Sequence, residues 1–210
     1  MDRDEKWTVI ADQRRVLADV LASLSPEQWE HPSLCEAWRI RDVAAHVAFT
    51  PRSPGLPRIL AMAVRARGDF DRINRDLAIR HAGRIPDLVA ELRDVADIRR
   101  KPAITTLDNL VFDTLVHVQD VTRPLGRSVP MPPVAAAAGL ERVWRMGWPF
   151  WARRRLRGLR LQATDLDWSA GAGEDVSGPA ADLLLLLTGR TAAALPALSG
   201  PGTARLAAAV

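Results

Sequence analysis

The stretch FDTLVHVQD, residues 112–120, sets Asp113 four positions before His117 and Asp120 three positions after it, in an otherwise largely apolar segment. Side chains three and four apart share one face of a helix, so Asp113 and His117 can hydrogen bond or chelate one ion together. On a helical wheel both lie on the flank of the stripe formed by Leu107, Leu110, Val111, Thr114 and Val118. A second histidine, His46, takes the matching flank of the segment RIRDVAAHVAF, with Asp42 one turn before it. An ion kept open for chemistry is typically held by three protein ligands, drawn from imidazole nitrogens and carboxylates, and retains a free position. His46, Asp113 and His117 supply that set if their helices converge. From spacing alone, a hydrogen-bonded helical pair and an unrelated histidine account for the same residues.

Other chemistries find less support. The single cysteine, Cys35, excludes an internal disulfide, has no Cys/His partner spacing and reads as a small loop or buried residue. No GxSxG motif is present. Twenty-nine basic against 25 acidic residues leave only +4, with Lys6 and Lys101 the only lysines, so the charge gives little reason to expect a nucleic-acid partner. One basic cluster, WARRRLRGLR (151–160), is compatible with a phosphate or membrane patch but reads first as a solvated helix end and domain junction. The charged opening MDRDEKWTVIADQRR has no export-signal core, and the apolar run from Leu183 is too short to span a bilayer. A cytoplasmic protein with no membrane partner is expected, as monomer or homodimer.

The elements that must position these groups are mainly helical. Apolar residues from Trp7 to Leu24 recur at helical period, giving a first helix to about Ser23. Ser25-Pro26-Glu27-Gln28 opens a short second one as a capping box. The His46 segment ends at Pro51 and Pro54, a long helix is expected over Leu56–Ala82, and Ile85-Pro86-Asp87 opens another through Ile98. The His117 helix is capped by Thr105 or Thr106 and ends before Pro124 and Gly126. About four of these helices are long, which predicts an up-and-down bundle. A further helix follows the prolines of VPMPP; then RGLRLQATD alternates as a strand, DWSAGAGED reads as turns, and SGPAADLLLLLTGR as a last helix. The expected fold is mainly α with a small α+β C-terminal part, divided into a bundle of residues 1–150 and a domain of 151–210. Most tryptophans (Trp29, Trp144, Trp148, Trp151, Trp168) are expected to pack in cores, and Trp38, beside the His46 helix, to face the site.

WRIRDVAAHVAF resembles the first metal motif of DinB-like proteins, in the branch of the mycothiol-dependent maleylpyruvate isomerase. FDTLVHVQDVTRPLG resembles that branch's acid-xxx-His-xxx-Asp motif with its Arg-Pro-Leu-Gly ending, and RLQATDLDWSAG with GPAADLLLLLTGR is similar to its C-terminal domain. The resemblance implies a DinB-like four-helix bundle whose metal ligands fall on His46, Asp113 and His117. The isomerase has a glutamate where this chain has Asp113, so the shorter side chain must come closer or leave room for a water. Asp120 and Asp42 become candidates for orienting the ligand imidazoles. The implied cofactors are a divalent metal, zinc before nickel or iron, and a low-molecular-weight thiol, mycothiol, as cosubstrate.

The implied activity is that of a transferase or isomerase in which a metal-bound thiolate attacks an electrophilic substrate, since a metal makes thiolate available at neutral pH. Arg123, near the mouth of the His117 helix, and Arg190, resembling a functional arginine of the isomerase's C-terminal domain, are the catalytic candidates. Arginine is suited to them because guanidinium binds carboxylates bidentately. Arg123 and Trp38 are also candidates to bind the thiol. The alternative is a metal- or ligand-binding protein that keeps the scaffold without turnover, as a regulator or stress-associated sensor.

Overall fold

The computed structural model describes residues 1–65 and 70–208. Its contacts divide the chain into two compact units, one of Asp2–Val129 and one beginning at Pro130.

In the N-terminal unit, α1 (Arg3–Ala22) starts in a capping box, with Asp2 accepting from the Glu5 amide and Glu5 accepting from the Asp2 amide. The pair satisfies two amides that a helix start leaves unbonded. The short α2 (Pro26–Trp29) begins in the expected Ser25/Gln28 box. Helix α3 (Ile40–Phe49) carries His46 and stops at the 3-10 turn Thr50–Arg52, where Pro51 cannot continue the ladder. The long helix expected over Leu56–Ala82 is described as α4 (Leu56–Arg65) and α5 (Phe70–Ala82); residues 66–69 lie outside the described residues. Helix α6 (Leu88–Asp94), capped by Asp87, ends a turn before the expected Ile98. Helix α7 (Leu107–Thr122) starts at Thr106, whose hydroxyl accepts from the Asn109 amide, and Gly126 takes the left-handed conformation past its end.

Helix α1 packs on α6 and α7, and α3 packs on α5, α6 and α7. This is an up-and-down bundle. Its core joins Leu17 and Leu21 of α1, Ile40, Val43, Ala44 and Val47 of α3, Leu92 of α6 and Val118 and Val121 of α7. Burial of that apolar stripe, rather than helix propensity, holds α3 and α7 together and fixes how their flanks meet.

In the C-terminal unit, α8 (Pro133–Arg145) packs on α10 (Ala180–Leu187), so the division falls at Val129 rather than near residue 150. After α9 (Ala152–Arg155), strand β1 (Gly158–Ala163) lies between an antiparallel β2 (Ser169–Gly171) and a parallel β3 (Gly173–Gly178). The segment DWSAGAGED therefore forms strands as well as turns. Its glycines serve close approach: a Cβ on Gly171 would lie 2.3 Å from the Leu159 carbonyl oxygen, and one on Gly173 2.1 Å from that of Gly158. The chain also continues beyond the expected last helix, into α11 (Thr191–Ala194) and α12 (Thr203–Ala207). Trp148 and Trp151 are 61% and 53% exposed, in the turn after α8, and so are not core residues.

The basic cluster serves this unit. Arg155 donates to the carbonyls of Leu186 and Leu187 at the end of α10, Arg153 lies over the Trp144 ring, and Arg160 faces Asp175. Cations placed on helix-end carbonyls satisfy acceptors that have no partner within the helix.

Arg14 holds the turn that follows α6. Fully buried, it donates from Nη1 to the carbonyls of Val95 and Ala96 at 3.1 and 3.2 Å, and of Ile98 at 3.3 Å. Those carbonyls lie just past the helix end, where acceptors have no partner within the helix. Burial lowers the Arg14 pKa to about 10, with Asp97 opposing. Arg14→Ala should cost about 2–4 kcal/mol in urea unfolding, since it leaves buried carbonyls without a donor and opens a cavity.

Candidate metal centre

The site is built on α3 and α7 and covered by the loop between α2 and α3. That loop is tied down locally: Pro32 bridges to Arg39, the Ser33 hydroxyl donates to the Trp38 carbonyl, and the Leu34 amide donates to the Asp120 carbonyl at 3.1 Å. Ala37 adopts φ +60°, a left-handed conformation uncommon for a residue with a Cβ. It turns the chain so that Cys35 and Trp38, on either side, both meet α7.

His46 and His117 meet at ring centroids 4.9 Å apart, edge to face. Asp113 lies against both: its Oδ1 is 3.4 Å from His117 Nε2 and its Oδ2 3.9 Å from His46 Nε2. These three donor groups fall within 4.8 Å of one another. Ligand atoms about 2.1 Å from a shared ion stand at most about 4.2 Å apart, so both separations made by Asp113 suit one ion. The shorter carboxylate thus reaches both imidazoles. The donor set, two imidazole nitrogens and one carboxylate, matches a catalytic zinc-type site. Asp113 keeps 37% of its side chain exposed, whereas His117 keeps 10%, so solvent reaches the cluster on the carboxylate side.

The opposite side of the His117 ring is closed. Nδ1 donates to Asp120 Oδ2 at 2.9 Å, and Asp120 is fully buried. The Cys35 thiol donates to the same oxygen at 3.0 Å. A carboxylate accepting from Nδ1 fixes the ring's orientation and leaves Nε2 for an ion. Asp120 therefore stands where the spacing put it. Asp42 does not: it takes bonds from the Arg39 amide and from Nε and Nη2 of the Arg39 guanidinium, locking the start of α3. A capping residue three positions after the N-cap is drawn back to it, away from the next turn.

Trp38 stacks near His117, centroids 6.5 Å apart, and meets His46 edge-on at 5.4 Å. Arg123 donates from Nε to Gln119 Oε1 at 2.9 Å, while Gln119 donates to the Val129 carbonyl. Arg190 belongs to the C-terminal unit, where its Nη1 donates to the Thr188 carbonyl. The structure thus gathers His46, Asp113, His117 and Trp38. The contact that sequence reasoning missed is Cys35 on Asp120. No periodicity signals it, because a loop residue carries no face.

Burial opposes the charged form of Asp113, but the charge and hydrogen bonds of His117, then those of His46, outweigh it and hold the carboxyl well below the ordinary carboxylate range. Burial likewise opposes the charged His117, yet Asp113, and then Asp120 and Cys35, raise it well above its ordinary 6.5. A raised imidazole stabilises the fold fully below the unfolded value and loses that contribution as pH rises through the folded one. The lowered Asp113 contributes above about 3.8 and fails only in acid. Metal-free protein should therefore lose thermal stability as pH climbs above 6.5, and His117→Ala should flatten that decline. Melting curves between pH 5 and 10 in the presence of a chelator check it.

The family model for the mycothiol maleylpyruvate isomerase N-terminal domain matches residues 10–122, a span that holds all three clustered donors. Two solved structures share the fold across 97% of this chain and 94% of theirs: the mycothiol-dependent maleylpyruvate isomerase, 16% identical at TM-score 0.58, and a histidine-to-alanine mutant of the mycothiol-dependent maleylpyruvate isomerase, 15% identical at TM-score 0.56. No curated protein sequence matches. Because the family model covers more than half of the 210 residues, the chain belongs to the mycothiol maleylpyruvate isomerase N-terminal domain family.

Proposed function

We propose that this protein is a cytoplasmic enzyme, an isomerase or S-transferase, that uses a divalent metal and a low-molecular-weight thiol of the mycothiol type to act on a small electrophile. The observation that carries the reading is the convergence of His46, Asp113 and His117 on one solvent-reached point, in a chain whose family is named for a thiol-dependent isomerase. His46, Asp113 and His117 would hold a divalent ion, zinc by donor type, and such an ion would supply a lowered thiol pKa, so that thiolate would be available at neutral pH.

The chain's own residues then have distinct tasks. Asp120 holds the proton on His117 Nδ1 and so presents Nε2 toward Asp113. Trp38 packs on both imidazoles and keeps water from that side of the rings. Asp113, the exposed member, faces the direction from which thiol and electrophile arrive. Arg123 and Arg190 are proposed to meet anionic parts of substrate or thiol, which requires each to exchange its present carbonyl or amide acceptor for a carboxylate. No protein nucleophile is required, and Cys35, whose thiol is bonded to Asp120, is not assigned that part.

Among the described residues no helix is long and apolar enough to cross a membrane, which suits a cytoplasmic location.

The test is elemental analysis joined to product detection. Reconstituted wild-type protein should carry about one divalent ion per chain, and His117→Ala or Asp113→Ala less than a tenth of that, with helical content retained. Asp120→Asn should weaken the ion by about 10–100-fold. Metal-loaded protein incubated with mycothiol and maleylpyruvate, or with other electrophiles, should give isomer or thiol adduct by mass spectrometry. Equal, negligible metal in wild type and variants sinks the site; full metal without any product leaves a binding protein instead of an enzyme.

A further inference from the structure

The N-terminal unit contains a cavity of about 440 Å³ whose lining includes none of His46, Asp113 and His117. That volume lies in the range of pockets that hold small molecules. Its walls are of two kinds. Phe49 of α3, Met62 of α4 and Leu77 of α5 are apolar; Arg52, Arg80, Arg84 and His81 are cationic or can become so.

The charges do not cancel. Glu91 of α6 is 6% exposed and takes bonds from two of the lining groups, one from Arg52 Nη1 and one of 2.7 Å with His81 Nε2. One carboxylate is thereby spent on holding the Arg52 and His81 heads in place. Arg80 uses its Nε on the main-chain carbonyl of Asp76, which neutralises nothing. Arg84 has no carboxylate partner among the described residues. Among the described residues, three guanidinium charges against one carboxylate leave two positive charges unmatched at the cavity, even with His81 neutral. Low-dielectric walls focus such a field into the opening.

From this we infer a second ligand site, distinct from the three-donor cluster, for a small organic anion: a carboxylate head joined to an apolar body. The body lies against Phe49, Met62 and Leu77, and the head meets the unmatched guanidinium groups of Arg80 and Arg84, whose planar forks suit a carboxylate. The Glu91 anchor keeps Arg52 from swinging out, so part of the charge is in place before the anion arrives. Free inorganic phosphate would satisfy the charge but leave the apolar wall wet. A neutral or cationic amphiphile would fill the wall and meet no charge, or a repulsive one. The inference stands whether or not the three-donor cluster holds metal.

Calorimetric titration of the full chain, metal-free, with octanoate tests it, against octan-1-ol, octylammonium and inorganic phosphate. Octanoate should bind saturably at one per chain, at least tenfold tighter than each comparison compound. Arg80→Ala/Arg84→Ala should weaken it at least tenfold; both side chains are exposed, so the fold is not at risk. Met62→Trp, which fills the wall, should abolish binding while circular dichroism stays unchanged. Octanoate affinity unaltered by the double variant overturns the site, as does absent octanoate binding or equal binding of octylammonium. Phosphate binding as tightly as octanoate overturns the assignment of an apolar-bodied ligand. Loss of metal in His117→Ala with octanoate binding retained keeps this inference separate from the fate of the metal reading.

Discussion

A single imidazole held between two carboxylates organises this site. His117 faces Asp113, one turn before it, through Nε2 and Asp120, one turn after it, through Nδ1. The two acids have opposite surroundings. Asp120 has no exposed surface and is closed over by Cys35 and the Leu34 amide, whereas Asp113 is more than a third exposed. The ring is therefore oriented from its dry side and available on its wet side. Most of the rest follows from maintaining that difference: α7 must remain helical for both spacings to hold, α3 must pack close enough to bring His46 to Asp113, and the loop with Ala37 must cover Asp120.

How much of this was legible depends on the distance in sequence over which each contact acts. Contacts within one helix read directly, so the Asp113–His117–Asp120 series and the capping box at Ser25 needed only local spacing, whereas the box at Asp2 was not read. The meeting of His46 with His117 spans 71 positions, and spacing alone left it open; resemblance to a family made it an expectation. Asp42 shows that a local rule can win over a functional one: lying one turn before His46 suggested a partner, but its place three residues after Arg39 made it a cap. Cys35 was read as a loop or buried residue, but its contact with Asp120 could not be, because it follows from a loop fold set by Ser33, Ala37 and Arg39.

The same logic accounts for the misplaced elements. Helix α6 has a pattern that could run to Ile98, yet the chain turns after Asp94, and the carbonyls of that turn are met by buried Arg14, 81 to 84 residues away in sequence. The glycines of DWSAGAGED are strong turn signals when viewed along the chain, but across the sheet they are the residues that permit a neighbouring carbonyl at under 2.5 Å from where a Cβ would stand. Arg155 reads as part of a basic run and works as a partner for the end of α10. In each case the residue type was informative and its partner was not, because the partner is supplied by tertiary structure.

The buried polar groups of the N-terminal unit separate scaffold from site. Asp42, Glu91 and Asp120 are all nearly inaccessible, and each is met by donors: Arg39 on Asp42, Arg52 and His81 on Glu91, His117 and Cys35 on Asp120. A buried carboxylate without such donors would be costly, so these three are best read as fixing the geometry of their neighbours. Asp113 differs in kind. Its ionisation is favoured by two imidazoles that also face the same point, it retains access to solvent, and its partners are groups that can release a proton to make way for a cation. A purely structural carboxylate gains nothing from that exposure, while a ligand that must share its ion with an incoming thiol requires it. The position of Asp113 at the wet edge, with Asp120 at the dry one, is thus the arrangement expected if one acid serves chemistry and the other serves orientation.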